Sequence, residues 1–184
     1  MIKIIRPGIQ SSIQDLGRLG HRHEGVAQSG ALDYYAMTQA NYLLGNAANE
    51  ATLEIAIGLV EIKALNTVSI SITGKDANIM FTNNNRDSVT IRTGQMLTLA
   101  KEDTLTIQPK GQFGRCYVAL QGGIDVPLIM GSRSTDIGAG FGGLDGRCIQ
   151  QNAIINSRLR NTRPLSYLKS TATTASLAVK TRFA

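Results

Sequence analysis

The sequence predicts a mainly β protein, and three observations lead to that fold class. Charged residues make up 17% of the 184 residues and 19 residues are glycine, which favours a turn-rich, strand-based domain over a helical bundle. Short runs of alternating apolar and polar residues recur at a spacing of roughly 8–12 residues, typical of a sandwich or barrel. The separators are rich in turn residues, namely Asn83-Asn84-Asn85, Thr93-Gly94 and Pro109-Lys110-Gly111.

The predicted elements begin with a strand at Ile2 and Ile4, which Pro7-Gly8 ends. A helix is predicted near 33–44, because apolar residues there follow the i, i+4, i+7, i+8 spacing. Asp33 is its expected N-cap and Gly45 suits its C′ position. Every later element is predicted to be a strand, at 53–57, 68–72, 88–92, 96–99, 105–107 and 116–120.

The net charge of +6 arises in the segment 157–184, which has no acidic residue. We expect a solvated tail there, and no nucleic-acid partner, because the basic residues are not interleaved with aromatic stacking platforms. The basic residues of this segment are Arg158, Arg160, Arg163, Lys169, Lys180 and Arg182.

The two cysteines do not form a CxxC pair, and with two histidines no metal site is predicted. Cys116 lies in a strand-like run, which favours a buried structural thiol over a nucleophile. The apolar run at the N-terminus is too short for a signal peptide, and no apolar stretch approaches the roughly 20 residues of a spanning helix. The sequence therefore predicts a cytoplasmic protein without a membrane partner.

The most polar and glycine-rich stretch runs from Gln14 to Asn46, and its chemistry leaves two interpretations open. In the first, Asp15 caps nearby backbone amides and Arg18 pairs with Asp15, giving a self-satisfied turn. In the second, Arg18 anchors a carboxylate or carbonyl and Asp15 orients Arg18. Residue chemistry alone favours the first interpretation, since Asp and Gly are common turn residues.

Other candidate residues are weaker. His21 and His23 are expected to be an exposed pair, and Ser29 lacks the G-x-S-x-G context of a nucleophile, which favours a hydrogen-bonding role at the helix entry. The pairs Gly122-Gly123 and Gly142-Gly143 fit no phosphate-binding motif and are interpreted as turns or close backbone approaches. The run 131–135, Gly-Ser-Arg-Ser-Thr, is either an anion or carboxylate site around Arg133 or a turn start capped by Ser132.

Short motifs in a fixed order then carry a resemblance to a known family. Jointly, their order and spacing resemble the carboxyltransferase-domain family, which includes allophanate hydrolase subunit 2, the KipA-type proteins and the C subunit of 5-oxoprolinase. The resemblance covers approximately residues 1–156. The main motifs are Pro7-Gly8, Ile13-Gln14-Asp15-Leu16-Gly17-Arg18, Ser29-Gly30-Ala31-Leu32-Asp33, Leu44-Gly45-Asn46, Tyr117-Val118-Ala119-Leu120-Gln121-Gly122-Gly123-Ile124, Gly131-Ser132-Arg133-Ser134-Thr135 and Gly142-Gly143-Leu144-Asp145-Gly146-Arg147.

The resemblance implies a cyclophilin-like β-barrel and a subunit of an ATP-dependent amide hydrolase. In 5-oxoprolinase, the C subunit works with a KipI-like (allophanate hydrolase subunit 1-like) protein and a LamB/YcsF-like third subunit, opening 5-oxoproline to glutamate. ATP is implied for that complex, although this chain has no nucleotide motif. The alternatives are a non-catalytic KipA-type regulatory protein, and the carboxyltransferase domain of a urea carboxylase or allophanate system, for which biotin remains open as a cofactor.

Members of this family are longer and carry a second half. The resemblance therefore predicts that residues 1–156 form the first half, and that 157–184 form a basic Ser/Thr/Ala-rich linker or the truncated start of the second. If the active surface lies between the halves, this chain alone would be inactive.

The implied site combines the two glycine-rich regions around a small amide such as 5-oxoproline. Arg18 or Arg133 would bind its carboxylate, amides near Gly122-Gly123 would stabilise oxyanion charge, and Asp15 or Asp33 would orient Arg18 or activate a nucleophile. The predicted catalytic residues are Asp15, Arg18 and Asp33, and the predicted substrate-binding residues are Gln14, Ser29, Gly30, Gly122, Gly123, Ser132, Arg133 and Thr135.

Overall fold

The structure, a computed structural model, describes residues 1–111 and 114–159, and it consists there of strands, one α-helix and a short 3₁₀ turn. The helix is α1 (Tyr34–Leu43) and the 3₁₀ turn spans Arg22–Glu24. The strands are β1 (Ile2–Pro7), β2 (Gln10–Gln14), β3 (Thr52–Ile57), β4 (Val60–Ala64), β5 (Val68–Gly74), β6 (Ala77–Thr82), β7 (Ser88–Ile91), β8 (Gln95–Leu99), β9 (Thr104–Pro109), β10 (Cys116–Leu120) and β11 (Ile154–Ile155).

The strands form two antiparallel sheets. The first has the order β11-β1-β4-β9-β6-β7, and the second has the order β2-β3-β10-β5-β8. The predicted mainly β class with one helix is confirmed, since the described part of the chain contains two sheets and one α-helix. Closure of the sheets into a cyclophilin-like barrel stays a prediction.

The main core lies between the sheets, because alternate residues of each strand point inward. Ile2 and Ile4 of β1 are fully buried there, together with Ile70 and Ile72 of β5 and Val118 of β10. Burying each such side chain contributes about 1.5–3 kcal/mol, so this layer dominates the stability of the domain.

Helix α1 packs on the outer face of the second sheet. Its small residues Ala36 and Ala40 are buried against that sheet beside the ring of Tyr117. The hydroxyls of Thr73 and Ser71 each donate a 2.5 Å hydrogen bond to the carbonyls of these two alanines. Strand β10 is consequently buried on both faces along its whole length.

The helix ends as the sequence predicts. The carboxylate of Asp33 accepts a 2.9 Å hydrogen bond from the amide of Ala36, and Gly45 follows the helix with a φ of 68°. The predicted strands are all present, but β2, β4, β6 and β11 were not predicted. Strand β2 (Gln-Ser-Ser-Ile-Gln) is polar although it is mostly buried, and the side chains of Gln14 and Ser12 hydrogen-bond to each other inside the fold.

The structure also answers the predictions about the thiols and the basic tail. Cys116 is fully buried as expected, and burial raises the pKa of its thiol to about 12. Arg158, expected in a solvated tail, is exposed as predicted and in addition forms an ion pair with the carboxylate of Glu50. The rest of the predicted tail lies outside the described residues. No helix in the described ranges is long and apolar enough to cross a membrane.

Candidate active site

The site is built around the carboxylate of Asp15, which directly follows β2. Its Oδ1 accepts hydrogen bonds from the amide of Gly17 (2.8 Å) and from the hydroxyls of Ser132 and Ser134 (2.6 Å each). Its Oδ2 accepts a 2.6 Å bond from the amide of Arg133. Asp15 is itself buried. These four bonds fix the loop carrying Arg133 against the end of the second sheet.

The side chain of Gln14 ties a third segment to the same place. Its Oε1 accepts a 3.0 Å hydrogen bond from the amide of Gly30, and its Nε2 donates to the carbonyl of Thr135 at 3.2 Å. The amide and hydroxyl of Thr135 in turn donate to the carbonyl of Ile13 at 2.8 and 3.0 Å. The loop 132–135 therefore covers the outer edge of β2.

Two glycines allow the loops to cross closely. Gly17 has a φ of 87° and Gly30 a φ of 95°, and a Cβ on Gly30 would lie 3.0 Å from the backbone of Gly17. Ser29 also has a positive φ of 54°, and its carbonyl lies against Gly17. Larger side chains at these glycines would force the segments apart.

Arg18 is fully buried beneath the same loop. Its Nε donates to the carbonyl of Ile129 at 3.3 Å and its Nη2 to the carbonyl of Ser134 at 2.6 Å. The guanidinium carbon lies 4.6 Å from the centre of the Phe141 ring. Its Nη1 is buried without a partner among the described residues. The first interpretation is therefore half right: Asp15 does cap backbone amides, but the described hydrogen bonds of Arg18 go to carbonyls and not to Asp15.

Arg133 differs from Arg18 in its exposure. Its backbone amide is held by Asp15, while its side chain is half-buried. Within residues 1–111 and 114–159 no acceptor takes a hydrogen bond from its guanidinium, and its Nε is buried without a partner. A cation with unused donors on a fixed loop is suited to bind a carboxylate.

Asp33 lies at the start of α1, where it belongs to a different network. Its amide donates to the Tyr117 hydroxyl at 2.8 Å, which donates to Oε2 of Glu54 at 2.8 Å; Glu54 also accepts from the amide of Leu32 at 3.0 Å. Burial raises the pKa of the Tyr117 phenol well above its usual range. Asp33 thus joins the helix to the sheet and does not contact Arg18.

The pair Gly122-Gly123 lies at the same end of the second sheet as Asp15. Strands β2 and β10 both end there, on either side of β3, so their ends are about 10 Å apart. The amide of Gly122 donates to Oδ1 of Asn46 at 2.7 Å and that of Gly123 to the carbonyl of Leu120 at 2.9 Å. Both amide hydrogens are therefore already bound by protein acceptors in this conformation.

The structure adds residues that the sequence did not single out. Ser134 hydrogen-bonds to both Asp15 and Arg18. In the sequence, only its position in the motif 131–135 pointed to a role for this residue. Phe141 contacts Arg18 and lies between two glycines. Glu54 and Tyr117 pair across β3 and β10, and no local pattern indicates that pairing.

The backbone amides of the second glycine-rich region are mostly taken up by the protein itself. A phosphate cradle needs unused backbone amides, yet the amides of Gly122, Gly123, Gly143 and Gly146 all bind protein acceptors. No group of three His, Cys, Asp or Glu side chains placed to hold a metal ion occurs in the described ranges.

Comparisons with known proteins identify similar chains. A family model described as carboxyltransferase domain, subdomain A and B, matches residues 24–181. The C subunit of 5-oxoprolinase from Escherichia coli K12 is 39% identical over 82% of this chain, and that of Haemophilus influenzae is 33% identical, also over 82%. The crystal structure of Kluyveromyces lactis urea carboxylase superposes with a TM-score of 0.78 and 28% identity, covering 90% of this chain and 14% of that one. The chain spans 47% of the length of both bacterial relatives.

Proposed function

Because the chain belongs to the carboxyltransferase-domain family, we propose that it supplies part of the C subunit of a 5-oxoprolinase. Two relatives with that name are 39% and 33% identical to it, which supports this assignment. The proposed reaction is the ATP-dependent ring opening of 5-oxoproline to glutamate. The chain spans less than half of those relatives, and we propose that it works as a subunit of a complex, as the name of these relatives implies.

The observation that carries the proposal is the unpaired guanidinium of Arg133, within the described ranges, on a loop held by Asp15. In the proposed complex, Arg133 binds the carboxylate of 5-oxoproline and orients the ring amide. Asp15 accepts four hydrogen bonds, so its role is to position the loop and not to take a proton from a nucleophile. Of the two candidate arginines, Arg133 is the more accessible.

The proposed partners are a KipI-like (allophanate hydrolase subunit 1-like) protein and a LamB/YcsF-like third subunit. ATP would bind on those partners, because the amides of Gly122, Gly123, Gly143 and Gly146 already bind protein acceptors. Biotin is not assigned a site on the described residues. We place the complex in the cytoplasm, where ATP is available.

The test is to co-purify the chain with these partner proteins and to measure glutamate formation and ATP hydrolysis that depend on 5-oxoproline. Replacing Arg133 with Ala should raise KM about tenfold or more, because a charge-assisted contact to the carboxylate is lost. Arg133→Lys should retain part of the affinity. The exposed Arg147, replaced with Ala, is the control. Unchanged turnover in Arg133→Ala would remove Arg133 from the site.

Two alternatives rest on specific observations. The similarity to urea carboxylase supports the alternative of a carboxyltransferase domain in a urea carboxylase system. Biotin-dependent carboxylation of urea by the complex would favour this alternative. A KipA-type regulatory module is supported by the outer face of α1, which carries no charge and exposes Tyr35 and Tyr42. Partner binding without any 5-oxoproline-dependent turnover would favour that role.

A further inference from the structure

The guanidinium of Arg18 is a buried cation that no carboxylate contacts in the described part of the chain. A charged group taken out of water is normally paired or fully hydrogen-bonded, because its lost hydration is costly. Two backbone carbonyls and one aromatic face surround Arg18, and these supply only partial negative charge. No carboxylate is therefore among the groups that bind this guanidinium directly.

One donor of this guanidinium is also unused. Nε and Nη2 donate to the carbonyls of Ile129 and Ser134, whereas Nη1 is buried and has no acceptor among the residues that the structure describes. A buried guanidinium end that lacks an acceptor matches the geometry by which arginine receives an oxygen of a planar anion. The fixed loop holds this end in place, because Asp15 and Arg18 both bind Ser134.

The cover over Arg18 is the ring of Phe141. This side chain is half-buried while Arg18 is fully buried, so the ring separates the guanidinium from solvent. Gly140, with a φ of 73°, has no described atom near where its Cβ would lie, so the space next to the backbone of Phe141 is open on that side. Gly142 is instead tightly packed, since a Cβ there would lie 2.7 Å from Nη2 of Arg18.

We propose that Arg18 forms an anion subsite beneath Phe141, in which Nη1 donates to an oxygen of a small carboxylate-type anion, such as a carboxylate or bicarbonate. Movement of the Phe141 ring admits the anion, which supplies the acceptor that Nη1 lacks among the described residues. This inference is independent of the proposed 5-oxoproline reaction, because it concerns binding by the chain itself.

The experiment records the arginine side-chain nitrogen signals of the ¹⁵N-labelled chain by NMR during titration with sodium acetate and with sodium bicarbonate. Sodium chloride at the same ionic strength is the reference. We expect a saturable shift of the Arg18 signals with one or both oxyanions and none with chloride. Phe141→Ala should tighten binding about threefold or more, because the cover and its cation–π contact are gone. Should that variant fail to fold, Phe141→Leu, which keeps an apolar side chain, replaces it.

Matched variants separate this subsite from nonspecific attraction of anions to surface charge. Arg147→Gln removes an exposed charge from the same glycine-rich region and should leave the titration unchanged. Equal shifts with chloride, a loss of the shift in Arg147→Gln, or no saturable shift at all would overturn the proposal. The carboxylate of Asp136 also has a buried oxygen without a partner in the described ranges. If Asp136→Asn shifts the Arg18 signals before any anion is added and the unaltered chain does not respond to acetate, Asp136 is the partner of Arg18 and the proposal is wrong.

Discussion

Asp15 is the residue on which the geometry of the site depends. Its carboxylate accepts from two hydroxyls and two amides while buried, and charge-assisted bonds of this kind are among the stronger ones in proteins. Arg133 reaches its position through one of these bonds. Removing the charge of Asp15 should therefore affect both the stability of the fold and the position of Arg133, the proposed substrate-binding residue.

We predict that Asp15→Asn lowers the free energy of unfolding by about 2 kcal/mol, since the amide offers one acceptor oxygen where the carboxylate offers two. Urea denaturation followed by circular dichroism measures the change. Asp145→Asn is the matched control, because Asp145 is exposed and bonds only to the exposed Arg147 among the described residues. Equal stability of the two variants would contradict the assigned role of Asp15.

The two thiols should differ sharply in reactivity. Cys116 is fully buried and its pKa is raised to about 12, so it holds almost no thiolate at pH 8, whereas Cys148 is partly exposed. We expect a thiol reagent such as DTNB to modify one cysteine rapidly in the native chain and the second after denaturation. In Cys148→Ser the rapid phase should vanish, and a remaining rapid phase would show that Cys116 is accessible.

The raised pKa of Cys116 also makes the stability of the fold depend on pH. Above its ordinary value of 9.0 the unfolded thiol ionises while the folded thiol stays protonated, so this residue makes the fold less stable as the pH rises. Cys116→Ser should therefore flatten the loss of stability between about pH 9 and pH 11, measured by urea denaturation at each pH.

At the scale of elements, the sequence predicts best those helices and strands that are determined by their own local residues. Helix α1 was placed correctly because Asp33 and Gly45 cap its ends, and β5 because Val68, Ile70 and Ile72 alternate with hydroxyl residues. Strand β2 was not predicted because it is polar, and its buried Gln14 side chain bonds to the distant loop 132–135. A local pattern carries no information about such a partner.

The site illustrates the same limit. The spacing of Asp15 and Arg18 indicated a polar turn, but their partners Ser132 and Ser134 lie more than 110 residues away. Sequence chemistry alone therefore favoured pairing Arg18 with its neighbour Asp15. The structure assigns Arg18 to backbone carbonyls because the loop covers it from the other side.

The junction of α1 with the second sheet offers a test at this scale. The Tyr117 hydroxyl joins the amide of Asp33 to the carboxylate of Glu54, so Tyr117→Phe leaves buried groups without partners. We expect a loss of about 1–3 kcal/mol in the free energy of unfolding, measured with urea. Tyr35→Phe on the exposed face of the same helix is the control and should change stability little.

For the whole molecule, residues 157–159 fasten the end of the described chain to the turn at Gly122. Arg158 donates to the carbonyls of Gly122 and Gly123 and pairs with Glu50, while the Ser157 hydroxyl bonds the carbonyl of Gln121. The predicted boundary after residue 156 is thus followed directly by residues that pack on the first unit.

A double-mutant cycle measures how strongly this fastening couples the two ends. Glu50→Gln and Arg158→Gln, singly and together, should show a coupling of about 1 kcal/mol, because Glu50 is mostly buried and solvent screens only Arg158. The coupling should weaken at high salt. Additive effects of the two substitutions would mean that the ion pair does not stabilise the domain.

The bonds between Asp15 and Ser134 join positions 119 residues apart, and this separation has a kinetic consequence. Contacts across so long a stretch of chain form only after the intervening strands have paired, because the loop-closure entropy must first be offset. Ser134→Ala should therefore speed unfolding and leave the folding rate nearly unchanged in stopped-flow experiments. Slower folding instead would place this contact in the folding nucleus. If the contact forms late, as we expect, the loop that carries Arg133 closes only in the last step of folding, so a partly folded chain offers no binding surface to a ligand or a partner.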